Sequence, residues 1–187
     1  LTKEELRRRY AKERRQLTSE IFEEQNKLLR DQLFQELSGN KGLIHVFLPI
    51  QAKKEVDTWP VLYWCWERGY TTCTSITHFS SNQLTHSLIN AATEFEENKW
   101  GVPEPIGASI VLPSEIDIVL IPMLCFDLNG HRVGYGKGYY DRFLSECRKD
   151  VTKIGLCLAN PIEKIDDTSD QDITMDKCIT PLQVHRF

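Results

Sequence analysis

The residues best suited to chemistry stand close together. From position 127 the chain reads Asp127-Leu128-Asn129-Gly130-His131-Arg132-Val133-Gly134-Tyr135-Gly136-Lys137-Gly138-Tyr139-Tyr140-Asp141-Arg142. Glycines alternate at 134, 136 and 138, a pattern that bends the backbone tightly and lets its N–H groups approach a ligand. A helix beginning just after would add the positive end of its dipole. Lys137, inside the loop, offers an ammonium that meets phosphate oxygens as a point charge. Asp141 falls in the first helical turn, which favours a carboxylate on its own and equally suits a contact to Mg2+ carried by phosphates. The stretch is neither GxxxxGK[ST] nor GxGxxG, so the standard phosphate-binding fingerprints do not apply. Two readings stand on physical grounds: a phosphate-binding loop, or a tight strand-to-helix turn whose glycines only permit the geometry. The lysine between glycines, followed by two tyrosines and a carboxylate, favours the first.

The elements around this loop follow from periodicity. Residues 1–17 read as a helix with Leu6, Tyr10 and Leu17 near one face. Thr18 or Ser19 caps a second helix over 20–37, whose Ile21, Phe22, Leu28, Leu29, Leu33 and Leu37 keep helical spacing. Ser38-Gly39-Asn40 ends it, because Gly and Asn tolerate the left-handed conformation of a C-terminal cap. Residues 43–48 read as a buried strand. A third helix begins near Asp57-Thr58, with Pro60 in its first turn and Val61, Leu62 and Cys65 inward. Residues 70–77 read as a strand, and 78–115 as the least regular part, with 84–89 a short strand or helical turn and 100–113 a loop. The apolar run at 116–124 is of the kind that fills the centre of a parallel sheet. A helix over about 139–149, a strand at 153–158, an acidic loop at 160–177 and one last short strand within 178–186 complete the chain. Such alternation predicts an α/β fold with a mostly parallel sheet covered on both faces. Sheets of that kind bind ligands at the carboxyl ends of their strands, which directs attention to the loop after Leu124.

Bulk properties set bounds. The 187 residues, 41% hydrophobic and 27% charged, predict one globular domain over 1–187. The net charge of -4 argues against nucleic acid as a partner. Positive charge concentrates at residues 1–15, in Lys3, Arg7, Arg8, Arg9, Lys12, Arg14 and Arg15, as would suit an anionic ligand. No apolar run approaches the roughly 20 residues that span a bilayer. The chain opens on Leu1 without a signal-peptide pattern, and a cytoplasmic location is expected. The six cysteines form no CxxC pair and read as small core hydrophobes of a reducing compartment, with a zinc site or disulfides as the other readings.

The stretch IPMLCFDLNGHRVGYGKGYYDRFL at 121–144 closely resembles the signature of the 5-formyltetrahydrofolate cyclo-ligases. Pro122, Phe126, Asp127, Gly130, Arg132, Gly134, Gly136, Gly138, Tyr139, Tyr140 and Asp141 all match, while Met123 stands where that family usually has Gly. Lys3-Glu-Glu-Leu6-Arg7 resembles the family's opening Lys-x-x-Leu-Arg, which implies contacts from Lys3 and Arg7 to ATP phosphates. At i and i+4 the two share a helical face. Lys12 and the arginines at 8, 9, 14 and 15 read as a solvated basic face. Glu55-Val56-Asp57-Thr58 resembles the family's pterin-binding Glu-[Val/Ile]-x-Thr; without the resemblance Glu55 reads as a surface loop carboxylate. Gln171-Asp172-Ile-Thr-Met-Asp176 resembles its late His-Asp-x-x-x-Asp segment, which implies a second Mg2+ contact at Asp172. Asp166, Asp167, Asp170 and Asp176 read as solvated loop charges, and His131 as an exposed turn residue. Trp100 stands where the family often has an aromatic residue against the folate. Ser75-Ile76 departs from the family's Pro-[Lys/Arg], so a basic contact is lost there or supplied from elsewhere.

The resemblance implies a three-layer α/β/α, Rossmann-like domain with N-terminal helices. It implies an ATP- and Mg2+-dependent cyclisation of 5-formyltetrahydrofolate to 5,10-methenyltetrahydrofolate, releasing ADP and phosphate. ATP would meet Lys3, Arg7, Gly134, Tyr135, Gly136, Lys137, Gly138, Tyr139 and Tyr140; the folate would meet Glu55, Trp100, Tyr139 and Tyr140; Asp141 and Asp172 would hold the metal. A monomer or weak dimer is expected. Two other classes remain open: a non-catalytic nucleotide- or folate-binding protein on the same scaffold, and an RNA- or phosphoprotein-binding module using the basic helices.

Overall fold

The computed structural model describes residues 1–107 and 109–187. Two helices open it. Helix α1 (Lys3–Gln16) starts at a capping box, in which Thr2 accepts the Glu5 N–H and the Glu5 side chain accepts the Thr2 N–H. Helix α2 (Ser19–Leu37) is capped by Thr18 and stopped by Ser38, with Gly39 left-handed at φ +83. Its inward stripe is Leu29, Leu33 and Leu37, all fully buried, each contributing about 1.5–3 kcal/mol. Ile21 and Leu28, expected on that stripe, lie 45% and 43% exposed, because a 3.6-residue period turns them to the other face.

Next come β1 (Ile44–His45) and α3 (Trp59–Glu67), where Val61, Leu62 and Cys65 face inward. Strand β1 is shorter than the expected 43–48, since after Val46 the chain leaves the sheet to wall a cleft. Residues 78–115 are more regular than their sequence suggests. Strands β2 (Thr72–His78) and β3 (Gln83–Ile89) make a seven-pair antiparallel hairpin. Strands β4 (Phe95–Glu97), β5 (Pro103–Pro105) and β6 (Ile110–Val111) follow, so the expected loop at 100–113 carries two short strands; Ala108 within it lies outside the described residues. The central β7 (Ile118–Pro122) leads to the small hairpin of β8 (Cys125–Phe126) and β9 (Arg132–Val133), then to α4 (Tyr139–Glu146). After β10 (Thr152–Leu156), the expected single last strand is an antiparallel pair, β11 (Lys177–Ile179) and β12 (Val184–Arg186).

The main sheet runs β12-β11-β10-β7-β1-β2-β3-β6. Its middle five strands are parallel, and antiparallel strands close both edges. Alternation along β7 splits the core. Ile118 and Leu120 face α2 and α3, while Val119 and Ile121 face Phe143 and Leu144 of α4. The result is the expected three-layer α/β/α arrangement. Helix α1 stands apart from both layers: Leu6 and Tyr10 pack on Leu124, Cys125, Val133 and Ile165, beyond the carboxyl end of β7. That placement brings its first turns over the glycine-rich loop.

All six cysteines are free; five are buried and Cys147 is half-buried, which fits their reading as core residues. Burial pushes the Cys65 and Cys125 thiols up to about 12, so they stay protonated. Among the described residues no helix is long and apolar enough to cross a membrane.

Candidate active site

A cleft of about 700 Å3 opens at the carboxyl ends of β1 and β7. Lys3, Arg7, Glu55, Trp100, residues 134 to 141 and Asp172 all line it. Eight of these are consecutive, but the rest come from α1, from the loop after β1, from the β4–β5 turn and from the acidic loop.

Asp127 organises the approach to the glycines. Its carboxylate is fully buried and accepts the N–H groups of Asn129 (3.0 Å), His131 (3.0 Å) and Ile165 (3.1 Å), an Asx-type turn extended to a distant loop. The three glycines then do different things. Gly136 (φ +82) and Gly138 (φ +67) occupy the left-handed region, and Gly138 caps α4. Gly134 does not, and a Cβ there would meet nothing within 4 Å. Among the described residues, no backbone N–H from Gly134 to Gly138 has a protein acceptor. Five such donors in succession, followed by a helix N-terminus, are groups of the kind that can accept an anion. Lys137 is exposed at its rim, and its carbonyl accepts from Arg142 Nη2 at 2.6 Å. Arg142 also donates to the Asn82 carbonyl, which ties the loop to the tip of the β2–β3 hairpin.

Cations and carboxylates alternate along the α1 side. Lys3 Nζ lies 2.5 Å from Asp172 Oδ2, and Arg7 Nε donates to the Gly134 carbonyl at 2.9 Å. Arg132, with its side chain 7% exposed, donates to Asp141 Oδ1 at 2.7 Å and to the Ile173 carbonyl at 2.5 Å. The Ile173 N–H returns to Asp141 Oδ1 at 3.2 Å, so the two segments that bear the paired aspartates are stitched together. Burial pushes the Asp172 carboxyl up, but hydrogen bonds from Lys3 and the Ser169 N–H, with the Lys3 and His131 charges, outweigh it and hold it below its usual value. Asp141 Oδ2 and Asp172 Oδ1 have no protein partner among the described residues.

The opposite wall is aromatic. Glu55 is only 5% exposed, which corrects its expected place on the surface; its Oε2 accepts the Ile50 N–H at 2.6 Å across the turn that follows β1. Burial, and secondarily the Glu55 charge, push the phenols of Tyr135 and Tyr140 well up, so both remain protonated donors. Trp100 packs edge-on against Phe79 at 4.3 Å and faces Tyr139 at 6.0 Å.

Several roles escaped the sequence. Arg14, expected in solvent, is half-buried and donates to Tyr135 Oη (2.5 Å) and to the Met123 carbonyl (3.2 Å). Lys53 sits 4.1 Å from the centre of the Tyr135 ring. Only the i, i+7 spacing of Arg7 and Arg14 hinted that one helical face carries both. His131 is half-buried rather than exposed, with Nδ1 shielded and without a partner among the described residues. Three of the acidic-loop aspartates are not free charges: Asp166 accepts from the Leu1 ammonium at 2.6 Å, Asp167 accepts the Lys3 N–H at 2.6 Å, and Asp176 pairs with Lys153 at 3.0 Å. Met123 is 2% exposed and packs into the core, so its departure from glycine leaves the cleft wall untouched.

Comparison with known proteins bears on this geometry. A Schizosaccharomyces pombe protein named as a probable 5-formyltetrahydrofolate cyclo-ligase is 37% identical over 105 residues, which is 48% of this chain and only 50% of that protein. The Escherichia coli K12 5-formyltetrahydrofolate cyclo-ligase is 30% identical over 146 residues, covering 75% of this chain and 79% of its own length. Among solved structures, the Aquifex aeolicus 5,10-methenyltetrahydrofolate synthetase superposes with a TM-score of 0.79 at 25% identity, covering 100% of this chain and 93% of that one. The Mycoplasma pneumoniae 5,10-methenyltetrahydrofolate synthetase shares the fold, with a TM-score of 0.74 at 20% identity over 97% of this chain and 99% of that one. The family model described as the 5-formyltetrahydrofolate cyclo-ligase family matches residues 1–181, and the chain therefore belongs to that family.

Proposed function

We propose that this chain uses ATP to close 5-formyltetrahydrofolate into 5,10-methenyltetrahydrofolate, releasing ADP and phosphate. The observation that carries this reading is the run of unpartnered N–H groups from Gly134 to Gly138 in the same cleft as the buried Glu55. One feature suits a polyphosphate, the other the ring donors of a pterin.

The chemistry asks for positioning and charge neutralisation. The formyl oxygen attacks the γ-phosphorus of ATP and ADP leaves. N10 then adds to the activated carbon and gives up its proton, and phosphate departs with the former formyl oxygen. An amide-like oxygen is a poor leaving group, and phosphorylation makes it a good one. In this reading the amides of residues 134 to 138 grip phosphate oxygens, while Lys137, Lys3 and Arg7 neutralise the triphosphate. Glu55 orients the pterin, and Trp100, Tyr139 and Tyr140 cover it. Asp141 and Asp172 fit Mg2+, because each offers one unengaged hard oxygen to a cation that brings phosphate and water as its other ligands. The bound ion would neutralise phosphate charge.

We read the chain as one domain over 1–187 that works in the cytoplasm as a monomer or weak dimer on small molecules, without nucleic acid. The test is to mix the protein with 5-formyltetrahydrofolate and Mg-ATP and follow the near-ultraviolet absorbance of the methenyl product. Growth of that band with stoichiometric ADP supports the reading; binding of both ligands without turnover refutes it.

A further inference from the structure

A run of backbone N–H groups serves an anion only if its peptide planes are turned the right way. In a trans peptide the carbonyl of one residue and the N–H of the next point in opposite directions. Holding a carbonyl on one side therefore aims the neighbouring N–H at the other. At the two ends of the glycine-rich loop, regular structure does this. The Val133 carbonyl accepts the Leu124 N–H at 2.8 Å, and the Gly138 carbonyl accepts the Arg142 N–H at 3.2 Å. The Gly134 carbonyl is held by Arg7 Nε at 2.9 Å. Between these, the Lys137 carbonyl accepts from Arg142 Nη2 at 2.6 Å.

The peptide from Lys137 to Gly138 needs that bond. Half a turn of its plane changes chiefly ψ of Lys137 and φ of Gly138, and glycine adopts a negative φ about as readily as its present +67. Backbone preference at Gly138 therefore does not fix which way the plane faces. Turned over, it would present a carbonyl oxygen to a phosphate in place of a donor. Arg142 stands behind the loop: neither it nor Asn82 lines the cleft. Its Nε (2.9 Å) and Nη2 (2.6 Å) both donate to the Asn82 carbonyl at the tip of the β2–β3 hairpin, so the guanidinium is itself anchored. It lies close on Gly138, where an added Cβ would stand 3.0 Å from Nη1. With the Lys137 carbonyl drawn to that side, the Gly138 N–H points away from Arg142 and toward the cleft that Gly138 lines. It has no protein acceptor there among the described residues.

We propose that Arg142 is a positioning residue for the nucleotide: acting through the Lys137–Gly138 peptide, it keeps that carbonyl out of the cleft and presents the Gly138 N–H to a phosphoryl oxygen. The hairpin tip thereby shares in phosphate binding through Asn82 without touching the ligand. The inference rests on the proposed use of this cleft for ATP. Loss of Arg142 falls on the nucleotide and spares the folate.

Steady-state kinetics of Arg142→Met and Arg142→Lys test this. Arg142→Met should raise KM for Mg-ATP about three- to tenfold, the loss of one hydrogen bond, with kcat and KM for 5-formyltetrahydrofolate near those of the parent. Arg142→Lys, whose ammonium still donates to the Lys137 carbonyl, should recover most of that loss. An unchanged KM for Mg-ATP overturns the proposal. Equal rises in both KM values also overturn it, since they mark a hairpin that has merely come loose, as does a lysine variant no better than the methionine one. Amide NMR of the glycine-labelled parent gives a second measurement that needs no variant. On addition of Mg2+ and the β,γ-imido analogue of ATP, the Gly138 amide proton should move downfield, as a donor does when it gains a phosphate oxygen. A Gly138 signal that does not move overturns the proposal even if Arg142→Met fails to fold. If the parent protein forms no methenyl product, the proposed activity fails by itself; the Gly138 shift, with calorimetric titration of the same analogue into parent and Arg142→Met, then decides the role of Arg142.

Discussion

Replacing Gly136 by alanine should damage both the fold and the site, while the same change at Gly134 should spare the fold. At Gly136 the backbone has φ +82, where an L-residue is disfavoured by about 1–2 kcal/mol. The new Cβ would stand 2.9 Å from Arg7 Cζ and 3.0 Å from Nη2, so the guanidinium must swing away. That breaks its 2.9 Å hydrogen bond to the Gly134 carbonyl, a charge-assisted contact worth about 1.5–3 kcal/mol when desolvated and less here, since the site is open to water. The two effects together come to about 3 kcal/mol. For a chain of this size each kcal/mol moves Tm by about 2–4 °C, so Gly136→Ala should melt roughly 6–12 °C below the parent. Gly134→Ala meets open space at an ordinary φ, and its Tm should stay within about 2 °C. Both variants should lose kcat/KM for ATP, the first by displacing Arg7 and the second by placing a methyl group in the cleft. Thermal denaturation and initial rates against ATP separate the two. Equal melting temperatures for Gly136→Ala and the parent would refute the reasoning, as would a Gly134→Ala variant as unstable as Gly136→Ala.

Other expectations rest on single contacts. Lys137→Ala removes one charge contact to phosphate and should lower kcat/KM about tenfold, read in initial rates with the Tm unchanged. Asp141→Asn should raise the Mg2+ concentration needed for half-maximal rate, and an unaltered magnesium titration would remove Asp141 from the metal site. Arg132→Met leaves the Asp141 carboxylate and the Ile173 carbonyl without their buried partner, and should destabilise by about 2–4 kcal/mol in denaturant unfolding. His86 stays neutral in the fold, because burial lowers its pKa from 6.5 to about 4. Between those values the unfolded chain takes a proton that the folded chain refuses. Through His86 stability should therefore fall as pH drops from about 6.5 to 4, by roughly 3 kcal/mol, and His86→Gln should make that limb of a Tm–pH curve shallower, leaving the part that the likewise depressed His45 contributes.

The parts of the fold that were legible in the sequence are those whose signal is local. Thr18 and the stop at Gly39 mark helix ends within a few residues of the bonds they make. The apolar run of β7 announces a strand buried on both faces wherever it is placed. Residues 78–115 were not legible, because the β2–β3 hairpin is stabilised by pairing across strands and its polar, Thr- and Ser-rich pattern carries little hydrophobic period. The single strand expected near the end became two for the same reason: only pairing with β10 shows where β11 stops.

The same division holds within the cleft. The sequence alone determined the glycine-rich loop, its lysine and the helix that follows, since these groups are neighbours along the chain and their geometry comes from their own backbone angles. Tertiary structure decided the rest: that Glu55 is buried, that Arg14 reaches Tyr135 across 121 residues, that Arg132 holds Asp141 to the acidic loop, and that two histidines close on Ser75. A hydrogen bond between distant segments depends on which strands lie side by side, and that order is set by the packing of whole layers, which no short stretch of residues encodes.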